Sequence, residues 1–200
     1  MKLSIIGASG HGKVVAEIAR LSGYTEIVFY DDDPTRTDCG GWPVVGKTAQ
    51  CDPEDGALFV AIGLPQIRQR FMEQYRDANL PVLIHPNAVV AAGVPIGRGS
   101  VIMPGAVINP GSSLGEGVII NTCASVDHDC SLGDYIHVAV GAHLCGSIQV
   151  GDRTWIGAGA IVSNGLSICG DCMVGAGALV IRDIQEPGTY VGVPAKRRLR

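Results

Sequence analysis

The segment Asp127-His128-Asp129 combines residue types that can move a proton near neutral pH. An imidazole acts as a general base or acid in this range, and a neighbouring carboxylate can orient the ring and raise its basicity. Few other charged residues surround it in the stretch INTCASVDHDCSLG. The residue types leave open which aspartate orients the ring, and they equally allow a surface histidine between two solvated acids.

A second candidate site is the Gly-rich turn GASGHG, which follows the apolar stretch KLSII near the start of the chain. A glycine turn between a strand and a helix can hold a phosphate on backbone N–H groups. The spacing is G-x-x-G-x-G, unlike the usual dinucleotide pattern G-x-G-x-x-G. Asp31, Asp32 and Asp33 end the next predicted strand, where doubly wound folds contact a ribose. From these residues alone, a nucleotide contact and a solvated turn are equally supported.

The elements that must position His128 show a six-residue period. Ile, Leu or Val occupies every sixth position from Ile84 to Val180, seventeen positions in all. The residue four positions after each of these anchors is nearly always small or apolar. A period of six matches no helix. A β-sandwich does not require a fixed six-residue spacing of apolar residues over about a hundred residues, so the spacing argues against one. The pattern therefore predicts a β-solenoid in which each hexad forms one short side and one turn.

Residues 1–82 lack this period and alternate between predicted strands and helices. The strands are KLSII, EIVFYDDD and ALFVAIG. One helix is predicted over KVVAEIARLSG, with Val14, Val15, Ile18 and Ala19 on one face, and a second from about Pro65 to Ala78. Alternating strands and helices predict a small parallel α/β unit. We therefore expect domains at 1–82 and 83–200, the second with a short C-terminal tail.

Composition excludes several classes of protein. The net charge is −4, and the only basic run is Lys196-Arg197-Arg198, which argues against a nucleic-acid partner. The sequence contains no apolar run long enough for a membrane span. The seven cysteines indicate reduced thiols in a cytoplasmic protein. Because Cys169-x-x-Cys172 has no second pair, we expect no metal site.

Seven stretches together resemble one branch of the hexapeptide-repeat acyltransferases, the sugar acetyltransferases of the PglD and NeuD types. They are IIGASGHGKVVAEIA, FYDDD, VAIG, NLPVLIHPNAVV, INTCASVDHDC, IHVAVGAHLCG and YVGVPAKRR. The resemblance implies a small Rossmann-like α/β domain followed by a left-handed parallel β-helix with three hexads per coil, assembled as a homotrimer. It implies acetyl-CoA as co-substrate, no metal, and N-acetylation of a nucleotide-linked amino sugar, expected to be UDP-linked, in bacterial glycan biosynthesis.

The resemblance also implies roles for individual residues. His128 would be the general base, with Asp129 modulating it and Asn121 close by. The family commonly has glutamate at the position of Asp129, so the carboxylate of Asp129 has a reach one methylene shorter. Coenzyme A would contact His137, Gly146, Ala158 and Ala176, with Gly146 one coil from His128 and its N–H facing the oxyanion. The nucleotide sugar would contact Ser9, Gly10, His11, Asp31, Asp32 and Gly63.

Four other functions are alternatives to this one. O-acetylation of a sialic acid or another sugar would use the same base, so the residues do not separate it from N-acetylation. A zinc-dependent carbonic anhydrase of the β-helix type would need His128, His137 and His143 to converge. The glycine spacing argues against an NAD-dependent oxidoreductase, and the charged His128 segment argues against a non-catalytic scaffold.

Overall fold

The N-terminal part of the chain is an α/β unit, here called the head. The structure is a computed structural model that describes residues 1–198. The elements of the head are β1 (Lys2–Ile6), α1 (Gly10–Leu21), β2 (Glu26–Tyr30), β3 (Asp38–Cys39), β4 (Trp42–Gly46), a 3-10 turn (Thr48–Gln50), β5 (Ala57–Val60) and α2 (Pro65–Gln74). The sheet order is β3-β4-β2-β1-β5, and all pairs are parallel except β3 with β4. This architecture confirms the predicted α/β unit.

Some details of the head differ from the prediction. Strands β3 and β4 were not predicted, because a two-residue strand and the proline-containing WPVVG carry no clear alternation. Helix α2 ends at Gln74 and not at Ala78, because Tyr75 leaves the helical backbone and its hydroxyl donates to Thr48 O at 2.9 Å. Val14 and Val15 are predicted to share one face of α1, but Val14 is exposed whereas Val15 lies in the core.

The rest of the chain forms a β-solenoid of the left-handed type, as predicted. Its strands lie in three parallel sheets, called the first, second and third faces. The first face holds β6 (Leu83–Ile84), β8 (Val101–Ile102), β11 (Ile119–Ile120), β14 (His137–Val138), β17 (Trp155–Ile156) and β20 (Cys172–Val174). The second face holds β7 (Val89–Val90), β9 (Val107–Ile108), β12 (Ser125–Val126), β15 (His143–Leu144), β18 (Ile161–Val162) and β21 (Leu179–Val180). The third face holds β10 (Ser113–Leu114), β13 (Ser131–Leu132), β16 (Gln149–Val150) and β19 (Ser167–Ile168).

The register of the solenoid follows from the hexad period together with the three hexads per coil that the resemblance implies. Residues eighteen apart are paired on successive coils, as Val126 is with Leu144 and Ile120 with Val138. The anchors and the small residues four positions later fill one continuous core, in which Ala124 is fully buried. The predicted three-hexad coil is therefore confirmed.

The head packs against the first face of the solenoid. Leu83, Val101 and Ile119 belong to the same apolar cluster as the strands of the head. Tyr135, from the turn before β14, packs into a second cluster of the head. This docking places the loop after β5 beside His137 on β14, where its ring nitrogen lies 3.3 Å from Gly63 O.

The chain closes the first face with a hairpin. Strand β22 (Gly188–Val191) runs parallel to β20, and β23 (Lys196–Arg197) returns antiparallel to β22. Arg197 forms an ion pair with Glu186, so part of the basic tail is ordered and already paired. Within residues 1–198, no helix is both long and apolar enough to cross a membrane.

Candidate functional site

His128 and Asp129 form a hydrogen-bonded pair at the turn between the second and third faces. His128 Nδ1 lies 2.8 Å from Asp129 Oδ2, and both side chains are more than half exposed. Asp129 has a positive φ of 57°. One coil away, Gly111 leaves room for the carboxylate, because a Cβ there would lie 2.3 Å from Asp129 Oδ1. The solenoid thus holds Asp129 against the imidazole.

The two aspartates that flank His128 have different partners. Asp127 accepts hydrogen bonds from Asn109 Nδ2 at 2.6 Å and from the His128 N–H at 2.8 Å. These bonds hold the pKa of Asp127 below its ordinary value. The hydrogen bond with Asp129 raises the pKa of His128 above its ordinary value. Asp129 therefore contributes most to the basicity of the ring, while Asp127 adds to it through its charge and also fixes the turn.

The pairing with Asp129 also determines which nitrogen of His128 is free. A carboxylate accepts hydrogen bonds, so the neutral ring carries its proton on Nδ1. Nε2 then has a free lone pair. This is the arrangement that a general base needs, because the second nitrogen can take a proton while the first stays bound to its acid.

Gly146 lies directly above the imidazole. A Cβ at this position would lie 2.5 Å from both Cε1 and Nε2 of His128. The equivalent positions on neighbouring coils are Pro110, His128 and Asn164, so of these four coils only the one with Gly146 lacks a side chain here. Within residues 1–198, the Gly146 N–H donates to no backbone carbonyl or side chain. A free N–H beside the base is suited to hold an oxyanion.

Asn121 contacts a different histidine from the one expected. It follows β11 at the turn between the first and second faces, one face of the solenoid away from His128. Its Nδ2 lies 3.1 Å from His137 Nε2, and its Oδ1 accepts from the Thr122 N–H at 2.8 Å. Within one chain, Asn121 therefore belongs to the environment of His137.

Ala158 and Ala176, the other residues expected to contact coenzyme A, lie at this same turn. Both are exposed and are stacked on successive coils, with the Gly177 N–H donating to Ala158 O at 2.9 Å. Of the four coenzyme A residues, only Gly146 adjoins His128. The candidate residues are therefore divided between two edges of the solenoid.

His137 lies between the head and the solenoid. Its Nδ1 lies 3.3 Å from Gly63 O, and its ring lies 4.2 Å from that of Trp155, centroid to centroid. Burial, and after it the charge of the Arg68 cation, lowers the pKa of His137 to about 3. The ring is therefore neutral at physiological pH and acts through hydrogen bonds and packing, not charge.

His11 is a second buried histidine near this junction. Burial, and after it the charge of Arg68, lowers its pKa to about 4. Its Nε2 is buried and has no hydrogen-bond partner in the described structure. An orphaned polar atom of this kind costs free energy unless a ligand or water meets it. The atom is therefore consistent with a binding role for His11.

A cavity of about 420 Å³ opens at the carboxyl ends of β1, β2 and β5. This is the edge of a parallel sheet where ligands bind in doubly wound folds. Its lining includes the expected residues Ser9, Asp31, Asp32 and Gly63. It also includes Arg36 and Arg70, two cations that sequence reasoning missed. Gly10, at the start of α1, has open space around it.

The two acids of this cavity are already bonded to the protein. Asp31 Oδ2 accepts from the Ala8 N–H at 2.7 Å and pairs with Arg36 at 3.2 Å. Asp31 thus ties the Gly-rich turn to the segment after β2. Asp32, which is exposed, accepts from the N–H and the hydroxyl of Thr48. Asp32 is the better placed of the two to accept from a ligand as well.

No group of three His, Cys, Asp or Glu side chains within residues 1–198 is arranged to hold a metal. His128, His137 and His143 each bond to a different partner; Ser125 Oγ lies 2.8 Å from His143 Nδ1. Cys169 and Cys172 lie 3.5 Å apart, Sγ to Sγ, and Cys172 is buried. The three histidines of the carbonic anhydrase alternative therefore do not converge within one chain.

Comparisons with known proteins agree with this architecture. A family model described as the PglD N-terminal domain matches residues 2–75. The acetyltransferase domain of PglB from Neisseria gonorrhoeae FA1090 is 44% identical over 98% of this chain and 99% of that chain, with a TM-score of 0.95. A mutant of perosamine N-acetyltransferase from Caulobacter crescentus, solved with CoA and GDP-perosamine, is 41% identical over 100% of this chain and 98% of that chain, with a TM-score of 0.95.

A curated relative matches over a shorter stretch. UDP-N-acetylbacillosamine N-acetyltransferase of Bacillus subtilis (strain 168) is 34% identical over 111 residues, which cover 50% of this chain and 50% of that protein. The match thus spans about half the length of this relative. A second structure of the gonococcal PglB domain, 44% identical over 98% of each chain with a TM-score of 0.94, contains acetyl coenzyme A.

Proposed function

The chain belongs to the hexapeptide-repeat sugar acetyltransferases of the PglD type, and on that premise we propose that it transfers an acetyl group from acetyl-CoA to the amine of a nucleotide-linked amino sugar. The observation that carries the proposal is the His128–Asp129 pair beneath the unpaired N–H of Gly146. Acyl transfer needs a base for the nucleophile and a donor for the oxyanion. These residues supply both.

In the proposed mechanism, His128 Nε2 takes a proton from the amine as its nitrogen attacks the thioester carbonyl. Asp129 holds the ring and stabilises the imidazolium that forms. The Gly146 N–H donates to the oxygen that becomes negatively charged. When the carbon–sulfur bond breaks, the imidazolium returns its proton to the leaving thiolate. The products are the acetamido sugar and coenzyme A.

We assign recognition of the nucleotide to the cavity of the head. The Gly-rich turn presents backbone N–H groups at the start of α1, where phosphate is favoured. Arg36 and Arg70 add positive charge on the lining, and Asp32 offers an acceptor. The relatives named above differ in the nucleotide they act on, GDP in one and UDP in the other. The UDP preference expected from the sequence therefore stays a prediction.

We further propose that a neighbouring copy of the chain completes each site, as in the homotrimer expected from the sequence. The division of the site residues supports this, because His128 lies at one edge of the solenoid and His137, with Asn121, at another. Apolar side chains are also exposed near the second face: Val140 is 50% exposed and Ile161 41%. Packing two copies edge to edge would cover them.

The activity is tested by incubating the full chain with acetyl-CoA and a panel of UDP- and GDP-linked amino sugars, and recording product masses. One sialic acid is included to test O-acetylation. A mass gain of one acetyl group on an amino sugar is expected. His128→Ala should lower kcat about 10²–10⁴-fold, the usual loss for a general base. Turnover of no sugar amine, or an active His128→Ala variant, would contradict the proposal.

Sharing of the site between copies is tested by mixing two variants, each of which we expect to be impaired on its own. His128→Ala and Asn121→Ala each remove one side of the site. In a randomly mixed trimer, about a quarter of the sites regain both residues, so activity should return to about that fraction. Light scattering on the same samples gives the mass of the assembly. A fully active monomer, or no recovery after subunit exchange has been demonstrated, would refute the shared site.

The proposal retains two broader expectations. The substrate class points to bacterial glycan biosynthesis, which follows from the family and the relatives. All seven cysteines are free thiols, which fits a reducing compartment such as the cytoplasm. Localisation by fractionation of the source cells tests the compartment, and metal analysis of the purified protein tests the separate expectation that no metal is needed.

A further inference from the structure

Arg68 is a fully buried cation without an acidic partner. It lies on α2, has no solvent exposure, and forms no salt bridge within residues 1–198. All three guanidinium nitrogens donate to backbone carbonyls. Nε bonds to Gly117 O at 2.7 Å, Nη1 to Ile62 O at 2.7 Å and Gly63 O at 2.8 Å, and Nη2 to Tyr135 O at 2.7 Å and Ile136 O at 3.3 Å. The side chain therefore joins the loop after β5 to two turns of the solenoid.

Such an arrangement demands arginine and no other residue. Burying a cation is costly, and the cost is offset only when its donors are satisfied in good geometry. The planar guanidinium reaches carbonyls on several sides at once, which a single ammonium group cannot do. A side chain that only filled space at this junction could be apolar. The use of a buried cation indicates that its hydrogen bonds serve a further purpose.

The hydrogen bonds of Arg68 lead directly to His137. Gly63 O accepts from Arg68 Nη1 and lies 3.3 Å from His137 Nδ1. A carbonyl oxygen only accepts, so the neutral imidazole must carry its proton on Nδ1. Its Nε2 is then an acceptor for Asn121 Nδ2 at 3.1 Å. The orientation of the Asn121 amide agrees with this tautomer: Oδ1 accepts from the Thr122 N–H, so the Nδ2 amino group faces His137.

The charge of Arg68 acts in the same direction as these hydrogen bonds. It disfavours a second cation nearby, so it adds to burial in lowering the pKa of both His137 and His11. Arg68 therefore favours a neutral His137 in one tautomer, with one fixed ring orientation.

We propose that Arg68 is a positioning residue: by holding the Gly63 carbonyl, it fixes the tautomer and orientation of His137 and, through it, the amide of Asn121 at the acetyl-CoA side of the site. The consequence for catalysis rests on the proposed function. Arg68 is buried and bonds only to backbone carbonyls, and we expect its effect on the KM for acetyl-CoA to pass through His137. The predicted contact of His137 with coenzyme A makes the KM for acetyl-CoA the sensitive quantity.

The first test uses the unmodified protein and does not depend on activity. ¹⁵N-labelled histidine side chains are observed by NMR, and the His137 signals are assigned with a His137→Asn variant. We expect His137 to be protonated on Nδ1 only, and to remain neutral through the range where an ordinary histidine titrates. A proton on Nε2, or titration near the ordinary pKa, would overturn the proposal even if the enzyme is active.

The second test compares Arg68→Met and Arg68→Lys with Arg76→Met, a matched change at an exposed arginine. In Arg68→Met we expect the KM for acetyl-CoA to rise about five- to tenfold, the effect of one lost hydrogen bond to the ligand site, with a smaller change in kcat. Arg68→Lys should give an intermediate effect. Arg76→Met should match the parent protein.

A double-mutant cycle separates positioning from a purely structural role. If Arg68 acts through His137, then Arg68→Met should cost nothing further in KM for acetyl-CoA once His137 is Asn. Fully additive effects, or an Arg68→Met protein with the parent KM and the parent His137 tautomer, would refute the proposal. If Arg68→Met does not fold, Arg68→Lys takes its place in the cycle. If the parent transfers no acetyl group, the proposed function fails, while the NMR result still decides the positioning.

Discussion

The Gly146→Ala substitution tests the geometry of the proposed active site most directly. The added methyl would lie 2.5 Å from Cε1 and Nε2 of His128. An unstrained contact between such atoms is about 3.5 Å or more, so the imidazole must move by about 1 Å. The backbone at Gly146 does not have a positive φ, so alanine adds no strain of its own. The displaced ring would lose its 2.8 Å contact with Asp129 and its position over the reacting carbonyl.

A displacement of about 1 Å at a catalytic group can cost about 10² in rate. We therefore expect kcat of Gly146→Ala to fall about a hundredfold, measured by release of the coenzyme A thiol, with a thermal midpoint close to that of the parent. Asn164→Ala is the control, since it changes the same position on the next coil, away from the imidazole. A folded Gly146→Ala variant with the parent kcat would refute the placement of His128 beneath this glycine.

Three further predictions follow from the hydrogen bonds and pKa values. Asp129→Asn should lower the maximal rate and move the acidic limb of the kcat/KM profile to lower pH. The reason is that Asp129 raises the pKa of His128, and His128 must be neutral to act as a base. An unchanged pH profile would contradict the pairing of the two side chains. Asp32→Ala should raise the KM for the nucleotide sugar about tenfold and leave that for acetyl-CoA unchanged, the mark of lost ground-state binding; equal changes in both would count against the division of roles. His11 and His137 have folded pKa values of about 4 and about 3, below the ordinary 6.5, so the unfolded chain binds more protons as the pH falls through this window. The free energy of unfolding, measured with denaturant, should fall by about 4 kcal/mol between pH 7 and pH 5, and by about half of that amount in His137→Asn.

The solenoid could be predicted because its physical requirement repeats. Each coil must place three anchors inward, and a slip of one residue would turn an anchor such as Val126 toward solvent. The resemblance adds three hexads per coil, so residues eighteen apart are expected to stack, and this expectation places Gly146 one coil above His128. The short strands β3 and β4 lacked such a repeat. Their pairing depends on contacts within the head, and single-sequence patterns carry little information about those.

The hydrogen-bond partners in the site were beyond the reach of sequence patterns. Asp127 and Asp129 are equivalent by composition, and only the turn geometry directs one to Asn109 and the other to the imidazole. Arg68 lies in a helix that reads as polar, PQIRQRFMEQ, so nothing in its pattern indicates a buried side chain. Its role depends on the docking of the head, which brings together residues far apart in the chain.

Because of that docking, the head and the solenoid share one apolar core. The first face of the solenoid contributes Val101 and Ile119 to the core of the head. The Gly63 loop, which lines the cavity of the head, also bonds to Arg68 and lies against His137. A shift of this loop would therefore reach His137 and Asn121, on the side proposed to bind coenzyme A, through this chain of hydrogen bonds. For this reason the contributions of the two parts are better separated by point substitutions in the intact chain than by truncation at residue 83, which would expose the shared core to water.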